Sequence, residues 1–263
     1  IDDGGSINIP GISDVSFANP ELKWEETLQY AIGLDFGFNN DRLSGSLDFY
    51  RKETSDLLFR TFSAQPAPQP FNFLNLPGSL VVNEGVEFSL GYDIIDSEEF
   101  SWNASFNIAY NKNNVEELDR AIEAGTIRGQ GLSLAFAQKI EAGQPLFSYF
   151  LREFQGYDEL GNPIYEGGVD NQKFVGKSAL PDLTGGLSTS WTWKDLTLSA
   201  YFAGQFGHYI YNNTANAFFT AGAFRGGRNV TADVLQTEES LNAAADVSTR
   251  FLEKGDFVRL QNL

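Results

Sequence analysis

The sequence predicts an all-β fold, part of an antiparallel transmembrane β-barrel. Three observations carry this expectation. Apolar residues alternate with small or polar ones over runs of about ten residues, longer than the usual globular strand and about what a tilted strand needs to cross a bilayer. The connections fall into two classes, short at 39–41, 96–99 and 194–195, and long at 53–83, 114–182 and 207–256. Short turns at one end and long loops at the other are the pattern of membrane barrels. No run of roughly 18 apolar residues is present, so a transmembrane helix is not expected.

Residues 1–23 read as loop, punctuated by Gly4, Gly5, Pro10, Gly11 and Pro20, so the chain is read as opening inside a connection. Residues 24–113 are expected to hold four strands. In the first, Leu28, Tyr30, Ile32, Leu34, Phe36 and Phe38 share one parity, and Gln29, Ala31, Gly33, Asp35 and Gly37 share the other. Side chains alternate faces along a strand, so this run has one greasy and one small or polar face. Asn39-Asn40-Asp41 turns the chain into a second run, with Leu43, Gly45, Leu47 and Phe49 against Ser44, Ser46, Asp48 and Tyr50. The excursion 53–83 contains the proline run 65–70, where backbone donors are missing and the chain is stiff. In the third strand Val86, Phe88, Leu90 and Tyr92 face away from Glu87, Ser89, Gly91 and Asp93. In the fourth, Phe100, Trp102, Ala104, Phe106, Ile108 and Tyr110 oppose a face of Ser, Asn and Ala. A soluble sandwich has to bury such an aromatic face against a second sheet; a barrel presents it to lipid and the polar face to a wet lumen.

Residues 114–182 are expected to form a large loop insertion. Val115, Leu118 and Ile122 fall at helical spacing, with Gly125 as a stop, which predicts a short helix. A small hairpin is expected around 147–155 and 163–175. If all short turns lie at one end, this insertion holds an even number of spanning strands; the alternative is that Leu146–Tyr157 spans together with a second, weaker strand. A hairpin follows over 183–206, where Leu187, Thr189, Trp191 and Trp193 and then Leu196, Leu198, Ala200 and Phe202 face outward around Lys194-Asp195. Residues 207–256 read as a long loop, and 257–263 as a strand that the chain end cuts off.

The composition agrees with this reading and narrows the chemistry. Hydrophobic residues make up 42% of the 263, an ordinary value that alternation explains, and there are 23 Phe, 10 Tyr and 4 Trp. Cysteine is absent and histidine occurs once, which excludes a thiolate or histidine-cluster metal site. The formal charge of −17 repels phosphate backbones, so no nucleic-acid partner is expected. The charge is read as solvated loops, with a lumen that discourages anionic solutes as the sharper reading. No catalytic site is expected: Glu98-Glu99 and Glu116-Glu117 are adjacent in sequence and point apart, and no triad forms around the lone histidine. Trp24, Tyr30, Tyr92, Trp102, Trp191 and Trp193 are expected as membrane-interface aromatics, with an apolar body in lipid and a polar tip in water.

Several stretches resemble a known family. Asn19-Pro20-Glu21-Leu22-Lys23-Trp24-Glu25 resembles the strand entry of SusC-like (SusC/RagA family) TonB-dependent outer-membrane transporters of Bacteroidetes. Gly33–Phe38, Leu43–Tyr50, Thr54–Leu58, Asn83–Glu87, Phe100–Trp102, Asn111–Asn113, Gly143–Pro145, Gly156–Asp158 and Gly255–Leu260 follow in the family's order and spacing. The resemblance implies a C-terminal segment of a 22-stranded barrel, about seven to nine strands of it, with the plug domain and TonB box absent from this stretch. It implies residence in the outer membrane of a Gram-negative bacterium. It also implies TonB-driven import of glycans or oligopeptides together with a SusD-like surface lipoprotein lid, with outer-membrane lipid around the wall.

Phe71, Phe73, Tyr149, Tyr157, Tyr165, His208 and Tyr209 stand in the expected outer loops and are the candidate substrate contacts; packing within the loops is their default role and substrate contact the sharper one. No cofactor is expected. Where the family often carries an acidic run, this chain has Asp158-Glu159-Leu160-Gly161-Asn162-Pro163 and, beyond it, Asp170; the pattern favours a solvated turn over a loop cation near Asp158 and Asp170, which needs several oxygens at close spacing. The competing functions are another TonB-dependent or secretion-linked barrel, such as a siderophore receptor, and a soluble carbohydrate-binding β-sandwich.

Overall fold

The computed structural model describes residues 19–62, 71–129 and 132–263. Residues 1–18 and the proline run 65–70, both expected as loop, lie outside the described residues. Six strands precede residue 118: β1 (Glu26–Phe38), β2 (Leu43–Ser55), β3 (Leu58–Phe62), β4 (Phe71–Asn75), β5 (Leu80–Asp96) and β6 (Phe100–Glu117). Then come β7 (Ile122–Gly129), β8 (Leu132–Ile140), β9 (Ser148–Arg152), β10 (Phe154–Tyr157), β11 (Pro163–Tyr165) and β12 (Gln172–Ser178). The last are β13 (Leu183–Trp193), β14 (Leu196–Phe206), β15 (Tyr209–Tyr211), β16 (Leu252–Lys254) and β17 (Phe257–Asn262), with two short helices, α1 (Asn213–Phe218) and α2 (Ala221–Arg225), between β15 and β16.

One seven-stranded sheet, in the order β1-β2-β5-β6-β13-β14-β17, forms the wall, and every neighbouring pair in it is antiparallel. Register keeps the faces separate. Leu34 opposes Leu47, which opposes Phe88, which opposes Ile108, and Leu187 lies between Phe106 and Phe202. A one-residue slip anywhere would exchange the faces. The apolar face is bare: Ile32 is 74% and Leu196 67% exposed, as a surface that meets lipid is.

At the turn end, Asn39, Asn40 and Asp41 take left-handed φ of 57°, 54° and 62°, and Lys194 takes 52°. Asn and Asp tolerate this region because their short side chains bond locally. The opposite end carries the three long connections. The first holds the β3–β4 hairpin where a plain loop is expected. The second holds a four-stranded sheet, β12-β9-β8-β7, and the β10–β11 hairpin, and among the described residues it gives no strand to the wall. The third holds α1, α2 and the β15–β16 pair.

The helix expected at 115–125 is not there. β6 continues to Glu117 because β5 continues beside it, pairing Val81 with Val115 and Leu80 with Glu117. Val115 is fully buried with Val81 and Ile140, and a β-branched side chain suits that pleated site. Gly125 sits inside β7 with φ +62° instead of closing a helix.

β5 and β6 have 17 and 18 residues, more than the roughly 9–11 that span a bilayer. Their surplus lies at the loop end, where the outward parity turns charged. Arg51 binds Glu53, Glu84 and Glu116 at 2.8, 3.1 and 3.2 Å. This network on the outer face marks where the wall leaves hydrocarbon.

Candidate functional site

The polar face of the wall is organised by hydrogen bonds between strands. The Ser46 and Ser89 hydroxyls meet at 2.8 Å, as do those of Ser190 and Ser199. Tyr50 donates to Asn111 Oδ1 at 2.7 Å across Gly85, where a Cβ would come within 2.7 Å of the Tyr50 oxygen. Asn113 donates to Asn83 Oδ1 and accepts from the Leu146 amide at 2.7 Å, which ties the second long connection to the wall. The result is a wet surface of hydroxyls and amides that also carries the carboxylates of Asp35, Asp48, Glu87 and Asp93.

Above it the loops fold on two apolar cores. Val81, Val115 and Ile140 form one, and Ile127, Ala137, Tyr149, Leu151 and Val247 form the other. A polar hub joins the β10–β11 hairpin to residues 239–251. The Arg250 guanidinium binds both oxygens of the buried Glu239, at 2.5 and 3.0 Å, and lies 4.6 Å from the Phe251 ring centre and 5.5 Å from that of Tyr157. Glu239 also accepts the Ala221 amide at the start of α2. The Tyr165 hydroxyl donates to Asp246, as does Ser248 at 2.9 Å. Burial raises the Asp246 carboxyl above the usual range against the opposing pull of Ser248, Arg250 and Arg152. Burial also pushes the Tyr157 hydroxyl up to about 12.

Tyr149 and Tyr165 are buried, and the Tyr149 hydroxyl donates to the Tyr209 carbonyl. Tyr157 is half-buried in the Arg250 hub. His208 is buried with its ring edge against Phe257, 6.4 Å between centres. Tyr209 is half-buried and lines a cavity at the loop end of the wall. Phe73 stands exposed on the β3–β4 hairpin, apart from the others; Phe71 opens β4, and its side chain lies outside the described residues. The loops thus gather Tyr149, Tyr157, Tyr165 and Tyr209 into connected packing and leave Phe73 alone. Asp158 caps its own turn, accepting from the Leu160 and Asn162 amides and the Asn162 side chain. Those bonds, the Asn162 side chain first, hold its carboxyl below the usual range. Asp170 stands in the separate turn 167–171.

Of the interface aromatics, Trp102, Trp191, Trp193 and Tyr92 cluster towards the turn end and Trp24 and Tyr30 towards the loop end. Trp102 stacks on Trp191 at 6.2 Å and donates to Thr189, while Trp24 is 90% exposed. Sequence reasoning misses Lys177, Asp182, Lys254 and Asp256, which share the Tyr209 cavity. They come from two stretches, 177–182 and 254–256, some seventy residues apart, and no spacing signal joins them.

Comparison with known proteins agrees with this architecture. The family model "TonB dependent receptor-like, beta-barrel" matches residues 4–234. The TonB-dependent receptor SusC of Bacteroides thetaiotaomicron is 30% identical over 93% of this chain and 26% of its own length. The TonB-dependent receptor P3 of Formosa agariphila is 26% identical over 98% of this chain and 28% of its own. The solved structure of the RagAB peptide transporter superposes with a TM-score of 0.77 at 25% identity, over 98% of this chain and 30% of that one. The chain therefore spans under a third of the length of the relatives it matches. Those relatives are outer-membrane receptors and transporters, not enzymes. The chain belongs to the TonB-dependent receptor β-barrel family, on its SusC-like side, and its seven wall strands are a stretch of an outer-membrane barrel.

Proposed function

We propose that this segment supplies wall, polar lumen face and outer loops to a TonB-dependent importer of glycans or oligopeptides that works with a SusD-like surface lipoprotein. One observation carries the reading: all three long connections leave the wall at the same end and fold into a packed body above its hydroxyl- and amide-lined face. Binding residues are carried disproportionately on loops that a rigid scaffold positions, and the wall holds this loop body over its mouth. The relatives support the nutrient class, since one is described as SusC and a solved neighbour as a peptide transporter.

The test is uptake. Cells bearing the full-length transporter are given labelled oligopeptides or oligosaccharides, with TonB present or deleted, and the detergent-solubilised transporter is checked for a co-purifying surface lipoprotein. TonB-dependent accumulation of either solute with a bound lipoprotein is the expected result. Absence of both refutes the importer.

A further inference from the structure

We propose that the cavity at the lumen mouth, framed by Lys177, Lys254, Asp182 and Asp256, is a subsite for a short peptide that engages a carboxylate and an ammonium group at once. The proposal rests on the importer reading and narrows it. The cavity is about 390 Å³, within the roughly 300–1,000 Å³ of small-ligand sites. Asp182 adjoins the Leu183–Phe206 pair, donating its amide to the Phe206 carbonyl, and continues the polar parity of Thr184, so the cavity lies towards the lumen side of the wall. A second cavity of about 300 Å³ shares Asp182 and Ser178 with it and reaches Asn111 and Asn113 on that same polar face.

Four charges, all exposed, line this cavity. Elsewhere in the loops, Arg250 is neutralised by Glu239, and Lys173 by Glu153 and Glu166. Among the described residues, none of these four makes an ion pair, although two of each sign line one space. The two aspartates meet at Gly207: Asp256 Oδ1 accepts the Gly207 amide at 2.8 Å, and a Cβ on Gly207 would come within 2.8 Å of the Asp182 carboxylate. Separated opposite charges are satisfied by water or by a solute that carries both signs, and charge-assisted contacts are the stronger kind of hydrogen bond.

A neutral glycan can hydrogen-bond to these groups but carries no charge to pair with either sign, and the Tyr209 face on which it would stack has the Lys177 ammonium 4.7 Å from its centre. A peptide offers a terminal carboxylate to the lysines and an ammonium to the aspartates.

The experiment uses the full-length transporter with its lipoprotein, purified in detergent, and two probes: a tryptic casein digest and maltoheptaose. Retained peptides are identified by mass spectrometry, and single peptides are then compared free and with both termini blocked. The expected result is retention of free peptides, a loss of about tenfold or more on blocking, and a similar loss in Lys177→Gln/Lys254→Gln. Blocking needs no substitution, so misfolding of the variant does not affect that arm. Equal retention of blocked and free peptides overturns the subsite, as does retention of maltoheptaose alone, which leaves the importer reading intact. Failure to retain either probe, joined to absent uptake in cells, refutes the importer itself.

Discussion

His208, the only histidine, shows how closely single residues are set where the wall meets the loops. A Cβ built on Gly255 falls 2.3 Å from its Nε2 and 2.5 Å from its Cδ2, so glycine is required there by contact and not by backbone conformation. Gly255→Ala in the full-length transporter is expected to lose about 1–3 kcal/mol of local stability, the usual effect of overpacking. His208→Ala in the same chain should recover most of it; hydrogen exchange of residues 252–256 measures both, and additive losses would refute the contact. Asp246 permits a pH prediction. Its carboxyl is raised by burial, so the folded loop holds a proton that the unfolded loop releases. Its contribution to stability is therefore full below the ordinary carboxylate value and is lost as pH rises through the raised one. Protection of residues 239–251 should fall with pH across that window, and Asp246→Asn should flatten the fall; an unchanged profile in the variant removes Asp246 as the cause.

At the scale of elements, the wall strands are held by parity more than by composition. Leu34 lies mid-strand on the apolar face and Ser105 on the polar face of β6. Leu34→Arg places a charge in hydrocarbon and should lower barrel stability by about 2–4 kcal/mol, while Ser105→Arg meets water and should change it little. Urea unfolding of the transporter in lipid vesicles compares them, and equal losses would mean the faces are misassigned. This parity was legible in the sequence because alternation is a local property: Leu28 to Phe38 and Phe100 to Tyr110 read correctly from residue type alone. The segment after Asn113 was not legible, because Val115, Leu118 and Ile122 fit helical spacing, and only the neighbouring β5 decides that Val115 is a strand residue. The candidate site was less legible still. Residue type leaves Tyr149 and Tyr165 between stacking on a solute and packing within the loops, and only the loop cores decide for packing by burying them. Lys177, Asp182, Lys254 and Asp256 meet only through tertiary structure.

For the molecule as a whole, the wall and the loop body are stabilised by different physics. The wall presents its apolar face to lipid and leaves its outer strands, β1 and β17, each with one neighbour among the described residues. Lipid does not tolerate such edges unpaired. The loop body instead has a water-facing surface and small cores, and a buried ion pair joins its parts. Glu239 has no side-chain exposure and Arg250 only 16%. Removing one member of such a pair leaves the other buried without its counter-charge, which typically destabilises by about 3–5 kcal/mol. Arg250→Met should therefore open residues 232–251 to protease in the full-length transporter while the wall strands stay protected. Glu239→Gln combined with Arg250→Met removes both charges and keeps an acceptor for the Ala221 amide, so it should regain most of the resistance. If Arg250→Met instead exposes wall and loops together, the two bodies unfold as one, and the loops are part of what holds the barrel in the membrane.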